Sequence, residues 1–304
     1  MKKFILFLIF SFGCAFFLVS CKKKEEKNNG LKIVTTDFVQ YDFVKHITKD
    51  VLDVNFSVLI PPGVDVHSFD PSPKDMLKIK KADLFICGGG EDEKWVEKIL
   101  KSTQKEKKSF VSLVELIKQK RNEKKELLKK DSHVWTSLKN CVLILKQLTE
   151  KICEIDQKNK AKYLKNMENY IKEFKEINSD FLEFLKNKKR DLVVFADGFS
   201  FLHFFNDFNL KYSAVNLNCS CEDAEINSSD VLKIIKIIKQ EKVPVVLKHE
   251  KNKTKVAKTI EEQTGVKVKT IFSFHSYSKE DLEENDVFLN RFKQNIKTLK
   301  EALS

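Results

Sequence analysis

From residue 31 onward, short apolar runs alternate with stretches that carry apolar residues at helical spacing. The runs LKIVTT (31–36), VNFSVLI (54–60) and ADLFICGGG (82–90) are rich in β-branched or other apolar residues and predict strands. FVQYDFVKHITKD between the first two runs predicts a helix, and EKWVEKIL after the glycines predicts another. Strands and helices that alternate in this way predict a parallel sheet in an N-terminal α/β lobe, residues 31–136.

The pattern changes at residue 137. Residues 137–189 contain no Gly or Pro and keep apolar positions at helical spacing, which predicts long helices, with a possible break near 156–160. Four further apolar runs predict a second sheet: DLVVFAD (191–197), KYSAVNL (211–217), VPVVLKH (243–249) and KVKTIFSF (267–274). The predicted fold is therefore two α/β lobes, each a mainly parallel sheet flanked by helices, joined by one long connecting helix (137–190), with the second lobe at 191–304.

The first residues have the pattern of an export signal. A short positive start, MKK, precedes the apolar run ILFLIFSFGCAFFLV, and Cys21 follows Leu-Val-Ser. This arrangement resembles a bacterial lipobox, in which residues 1–20 are removed and Cys21 is acylated; an ordinary signal peptide cut nearby is the alternative. Residues 21–30 are polar and predict a flexible tether. We therefore expect an extracytoplasmic protein, anchored to a bacterial membrane through Cys21 at the periplasmic face or cell surface.

Charge and cysteine usage narrow the class of protein. The chain has 56 basic and 44 acidic residues, a net charge of +12. The lysines are spread along the chain and not gathered with aromatic residues, which favours a solvated surface near anionic lipid over binding to nucleic acid. Beyond Cys21, five scattered cysteines form no disulfide framework. Cys87 and Cys141 lie among apolar residues and are predicted to be buried thiols.

Three histidines fall at predicted strand exits or in loops that would face a cleft between the lobes: His67, His133 and His275. In open α/β sheets ligands bind beyond the carboxyl ends of strands, and imidazole is a common ligand of zinc and related ions. For each of them, a hydrogen-bonding role in a loop is the alternative. The other candidates are weaker: His46 and His203 are predicted to be packing or surface residues, and His249, beside Glu250, stays ambiguous.

Two motifs carry a resemblance to a known family. Residues Gly63 to Pro73 match Gly-x-Asp-x-His-x-(Tyr/Phe)-x-Pro-(Ser/Thr)-Pro, and DSHVW resembles Asp-Pro-His-(Val/Ile)-Trp with Ser132 in the place of proline. Both are motifs of the zinc and manganese solute-binding lipoproteins of ABC importers, called cluster A-I. The resemblance extends from residue 31 to the C-terminal helix and implies a metal site between the lobes with His67 and His133 as ligands.

The second lobe departs from the family pattern. The position of the usual third ligand, His or Glu in Phe-(His/Glu)-Asp-Ala-Phe, is Ala196 here, and the usual Asp of Tyr-Ser-Asp-Ser-Leu is replaced by a segment that offers His275. Residues 218–222, NCSCE, resemble the Gly-Cys-Ser-x-Glu loop of a branch of the family. We therefore expect His67, His133 and His275 as ligands, completed by Glu222, Cys219 or water, with Glu222 preferred. For Glu222 and Cys219, a purely structural role is the alternative. A thiolate would favour zinc, and a carboxylate suits zinc or manganese.

Two acidic residues, Asp65 and Glu250, are expected to support the ligands, because ligating histidines usually donate their other N–H to an acid or a carbonyl. The predicted function is capture of a divalent transition metal, with zinc favoured and manganese possible, by a monomer that delivers it to an ABC permease. Two alternatives stay open. One is a surface adhesin or interaction lipoprotein with a structural metal. The other is a metallohydrolase, although the chain has no HExxH, GxSxG or P-loop motif.

Overall fold

Two four-stranded parallel sheets form the framework of the computed structural model. The structure describes residues 30–64, 66, 69–103, 109–121, 127–128, 131–215, 227–250 and 255–304. Leu31–Ser304 form one compact unit. The predicted signal sequence and Cys21 lie outside the described residues. None of the described helices is long and apolar enough to cross a membrane.

The first sheet has the strand order β2-β1-β3-β4. Its strands are β1 (Leu31–Thr35), β2 (Val54–Val58), β3 (Leu84–Cys87) and β4 (Phe110–Ser112). The helices around it are α1 (Phe38–Ile47), α2 (Pro73–Lys81), α3 (Trp95–Thr103) and α4 (Leu113–Arg121). Capping boxes at Asp37 and Ser72 fix the starts of α1 and α2. The sequence pattern did not predict β4, because three residues are too few for an alternation to be visible.

The second sheet has the equivalent order, β6-β5-β7-β8. Its strands are β5 (Leu192–Phe195), β6 (Lys211–Ala214), β7 (Val245–His249) and β8 (Lys267–Ile271). β8 ends earlier than the apolar run KVKTIFSF predicts, so Phe272 to Phe274 belong to the loop before His275. The helices of this half are α7 (Leu202–Phe208), α8 (Ser228–Gln240), α9 (Lys255–Thr264), α10 (Lys279–Glu283) and α11 (Val287–Leu303).

Two helices lie between the sheets in sequence, α5 (Leu138–Ile155) and α6 (Lys160–Leu185). A short 3-10 turn (Gln157–Asn159) separates them, where the sequence predicted a possible break. The long helix is α6, whose 26 residues span about 39 Å at 1.5 Å per residue. The two α/β lobes and the long helix between them confirm the predicted fold class.

The hydrophobic core is shared by the two lobes. One cluster of buried side chains runs from the first sheet through α1, α5 and α6 to the second sheet and α11, including Ile33, Phe43, Phe174, Phe195 and Phe288. Smaller clusters cover the outer face of each sheet. Buried apolar area stabilises a fold by about 25 cal/mol per Å², so a continuous core disfavours separation of the lobes.

Candidate metal centre

Loops from both lobes meet beyond the carboxyl ends of the strands. The loop after β2 is bound to the loop after β8, because the Tyr277 hydroxyl donates to the carbonyl of Ile60 and the Gly63 N–H donates to the carbonyl of Tyr277. A third loop, between α4 and α5, joins them where Trp135 Nε1 donates to Ser273 O at 3.3 Å. These contacts bring together the chain segments in which His133 and His275 lie.

His133 and His275 lie side by side at this junction. Their ring centroids are 4.2 Å apart at an interplanar angle of 71°. Both side chains are buried, with 0% of His133 and 7% of His275 exposed. Trp135 packs its ring edge-on against both imidazoles, at 5.3 Å and 5.9 Å between centroids. The structure therefore brings together one predicted ligand from each lobe, in a site shielded from solvent.

Asp131 fixes the orientation of His133. Its Oδ1 accepts from the backbone N–H of His133 at 2.9 Å and from Nδ1 of the same imidazole. Burial alone would raise the pKa of Asp131, but the charge and hydrogen bonds of His133, with the charge of His203, hold that pKa below its usual value. An ionised carboxylate accepts only, so Nδ1 of His133 is the donor of this bond, and in the neutral form of the imidazole Nε2 is the acceptor. Within the described residues, that buried Nε2 has no hydrogen-bond partner.

Asp131 is also hydrogen-bonded to residues of the second lobe. Leu202 N donates to Asp131 Oδ2 at 2.8 Å, and His203 Nε2 donates to the carbonyl of Asp131 at 2.9 Å. Near the other end of α7, Asp207 accepts from Ser137 Oγ and from Arg121. His133 precedes the connecting helices in sequence, yet Asp131, which orients its ring, is bonded to the start of α7 in the second lobe.

His275 is placed through its preceding backbone. Glu250 accepts from the N–H groups of Ser273 at 2.9 Å and Phe274 at 3.2 Å. Phe274 adopts a left-handed backbone with φ 69° although it is fully buried, a conformation that costs free energy for a residue with a side chain. The sequence predicted that Glu250 would support a ligand ring; the structure instead shows its carboxylate on the backbone before His275.

The remaining predicted ligands, His67 and Glu222, and the alternative Cys219 lie outside the described residues, as does Asp65. Among the described residues, no group of three or more His, Cys, Asp or Glu side chains is arranged to hold a metal ion. Ala196 is fully buried with Val194 and Val215 in the cluster on the outer face of the second sheet, and it supplies no donor. The described part of the site is thus a histidine pair.

The other described histidines have polar partners as well as packing contacts. His203 is buried and binds Asp131, and His46 is bound between Asp42 and Asp286. His249 is also buried, with Nδ1 3.0 Å from Asp197 Oδ1 and Nε2 2.9 Å from Ser200 Oγ. A sequence signal existed for Asp131 alone, because the Asp-x-His spacing of DSH places a carboxylate two residues before His133. Cys87 and Cys141 are buried free thiols, as predicted.

A buried pair of imidazoles with an ionised carboxylate behind one of them suits a cation better than a neutral ligand. Ligating histidines typically donate one ring N–H to a carboxylate and present the other nitrogen to the metal, and the His133–Asp131 pair has this arrangement. Two nitrogen donors favour zinc over the harder ions magnesium and calcium.

The chain matches the model of the family described as zinc-uptake complex component A, periplasmic, over residues 33–302. The zinc-binding lipoprotein AdcA of Streptococcus pneumoniae is 26% identical over 99% of this chain. The aligned chain spans only 61% of the length of AdcA. The manganese ABC transporter substrate-binding lipoprotein PsaA of Streptococcus mitis is also 26% identical, over 99% of this chain and 97% of the relative.

A solved structure with the same fold is the Zn(II)-bound ZnuA-like domain of Streptococcus pneumoniae AdcA. It superposes with a TM-score of 0.75 at 25% identity, covering 90% of this chain and 99% of that domain. The fold similarity therefore extends over almost all of the described residues.

Proposed function

Because the chain belongs to the family of zinc-uptake complex component A, we propose that it captures a divalent transition metal between its lobes and delivers it to an ABC permease. The observation that carries the proposal is the buried His133–His275 pair, one histidine from each lobe, with Asp131 behind the first. Among the described residues, the buried His133 Nε2 has no hydrogen-bond partner. Removing its lone pair from water in this way costs free energy, and a bound cation would recover it.

We propose His67 and Glu222 as the further ligands. The described residues that precede His67 support its assignment, because Ile60 and Gly63 are both bonded to Tyr277, two residues beyond His275. Glu222 is proposed from the sequence motif NCSCE. With three nitrogens and one carboxylate, the site would prefer zinc, while manganese, which one relative's name states, is the second cargo to test.

We also propose that the protein works outside the cytoplasmic membrane as a monomer anchored through an acylated Cys21. The support is the lipobox-like sequence and the names of the relatives, which are lipoproteins. The family is one of solute-binding proteins and not of enzymes.

The test is metal binding by the protein purified from membranes in detergent and stripped with a chelator. Zinc and manganese are titrated by calorimetry into the parent, His133→Ala and His275→Ala, with His46→Gln as a histidine control away from the pair. We expect one tight zinc site in the parent and in the control, and a loss of tight binding in both site variants. Parent-like affinity in His133→Ala or His275→Ala would reject the site.

A further inference from the structure

We propose that two adjacent residues at the end of β7, His249 and Glu250, position both described histidines of the metal site. The inference rests on the proposed function in that the positioned rings are the proposed ligands. One arm runs from His249 to His133 and the other from Glu250 to His275. Each link is a hydrogen bond or a short stretch of backbone between the two residues and the rings.

The first arm begins with a buried row of three side chains. Asp197 Oδ2 accepts from the backbone N–H of His249 at 2.8 Å, and Asp197 Oδ1 accepts from His249 Nδ1 at 3.0 Å. With its proton on Nδ1, the imidazole accepts from Ser200 Oγ through Nε2 at 2.9 Å. Asp197 therefore fixes the main chain and the ring of His249 together, and the ring in turn fixes Ser200.

An Asp–His–Ser row is the arrangement that activates a serine nucleophile in hydrolases. Here only 1% of Ser200 and 3% of His249 are exposed, and Phe201 stacks its ring at 6.0 Å from the imidazole. A substrate cannot reach a hydroxyl enclosed in this way. The row is therefore built to hold a segment of chain in place.

The segment that it holds leads to His133. Two residues after Ser200, the N–H of Leu202 donates to Asp131 Oδ2 at 2.8 Å, while Oδ1 of that carboxylate orients the His133 ring. If Ser200 moves, Leu202 N moves with it, because the intervening Phe201 is a single buried residue. The carboxylate of Asp131 then loses the bond that fixes its second oxygen.

The second arm is shorter. Glu250 directly follows His249 and accepts from Ser273 N at 2.9 Å, Ser273 Oγ at 3.2 Å and Phe274 N at 3.2 Å. These bonds hold the left-handed turn at Phe274 that directs the chain into His275. Since β7 pairs with β8 through His249 and Ile271, both arms start from one rigid point in the sheet.

Because the two arms end on different histidines, each arm can be tested by its effect on one ring and not the other. In the metal-free protein, the ring signals of His133 and His275 are followed by ¹⁵N NMR in Ser200→Ala, His249→Phe and Glu250→Gln. We expect the first two variants to shift the His133 signals and leave those of His275, and Glu250→Gln to do the reverse. The control is Thr149→Val, which removes a buried hydroxyl that donates to Leu145 O at 2.8 Å in α5, and we expect it to shift neither ring.

Zinc affinity, measured by competition with a chelator, is the second measurement. Outer partners of ligating histidines typically change affinity 10–100-fold, so we expect about a 10-fold loss in each of the three variants and none in Thr149→Val. The proposal is overturned if both rings keep their parental signals in all three variants, or if every variant, including the control, moves both rings together. If the parent itself fails to bind zinc, the proposed function falls, and the ring signals of the metal-free protein still decide the positioning role.

Discussion

The two described histidines of the candidate metal site, His133 and His275, are held in place by different means, although the sheets behind them have equivalent strand orders. In the first lobe, His133 is oriented by a side chain, Asp131, that is two residues away in sequence. In the second lobe, His275 is oriented through its backbone, by Glu250 and the left-handed turn at Phe274. A candidate ligand can thus be fixed by a local carboxylate or by a distant one that acts on the main chain, and the two lobes should respond differently to mutation.

The largest effect is expected from breaking the first-lobe arrangement with Asp131→Ala. The change removes the acceptor of three hydrogen bonds around a buried imidazole. Breaking a buried pair costs about 3–5 kcal/mol, and zinc affinity should fall about 10–100-fold. Chemical denaturation and chelator competition measure the two quantities.

Asp207→Ala is the control for Asp131→Ala. The side chain of Asp207 is also buried, with 4% exposed, and bonded to Arg121 and Ser137, but it has no hydrogen bond or ion pair with His133 among the described contacts. We expect it to lose stability and to keep the zinc affinity of the parent. Equal loss of affinity in both variants would mean that contact between the lobes, and not orientation of His133, is what Asp131 supplies.

The next effect concerns a contact between the lobes that depends on charge. His46 on α1 binds Asp42 and, through Nε2 at 2.8 Å, Asp286 before α11. Burial alone would lower the pKa of His46, but the hydrogen bonds and charge of Asp42, with the bond to Asp286, raise it from 6.5 to about 9. Because the folded-state pKa is the higher one, the stabilisation is complete below pH 6.5 and is lost as the pH rises through 9.

We therefore expect the parent to exceed His46→Gln in free energy of unfolding by up to about 3 kcal/mol below pH 6.5, with the difference shrinking towards pH 9. Urea denaturation of both proteins across this range measures it. A difference that stays constant with pH would show that His46 contributes through packing on Tyr170, whose ring lies 3.8 Å away, and not through its charge.

A smaller effect is expected at the bond that joins the two loops in which the candidate ligands His133 and His275 lie. Trp135→Phe removes the donor to Ser273 O and should cost about 1–2 kcal/mol. Trp95→Phe is a matched control, since Trp95 Nε1 has no hydrogen-bond partner among the described residues. We expect Trp135→Phe to be the more destabilising of the two in thermal unfolding, and the reverse order would contradict a role of this bond in joining the lobes.

The smallest expected effect concerns the left-handed backbone at Phe274 in the second lobe. Phe274→Ala and Phe274→Gly both lose the ring that packs 4.3 Å from Phe288. Since glycine adopts positive φ freely, the glycine variant should be about 1 kcal/mol more stable than the alanine variant. Within a helix the preference is opposite, so Phe288→Ala should be more stable than Phe288→Gly. If Phe274→Ala is instead the more stable variant, backbone strain at residue 274 does not contribute to the placement of His275.

The sequence by itself determined the class of fold and singled out His133 as a candidate ligand. Apolar runs and helical spacing are local properties of the chain, so they predicted seven of the eight strands in the described residues. The motif DSHVW pointed to His133 as a candidate ligand. The short strand β4 and the end of β8 before Phe272 were not predicted, because pairing between strands decides them and the local pattern does not.

The tertiary structure alone decided how the lobes fix the site. His249 lies more than a hundred residues from His133 in sequence, and nothing in its local pattern points to that residue. Hydrogen bonds to Ser200, Asp131 and Phe274 become possible only when β7 lies beside β5 and β8 and the loop before α5 packs on α7. Hydrogen bonds act over about 3 Å, so the groups that orient a buried ligand are defined by which segments the fold brings into contact.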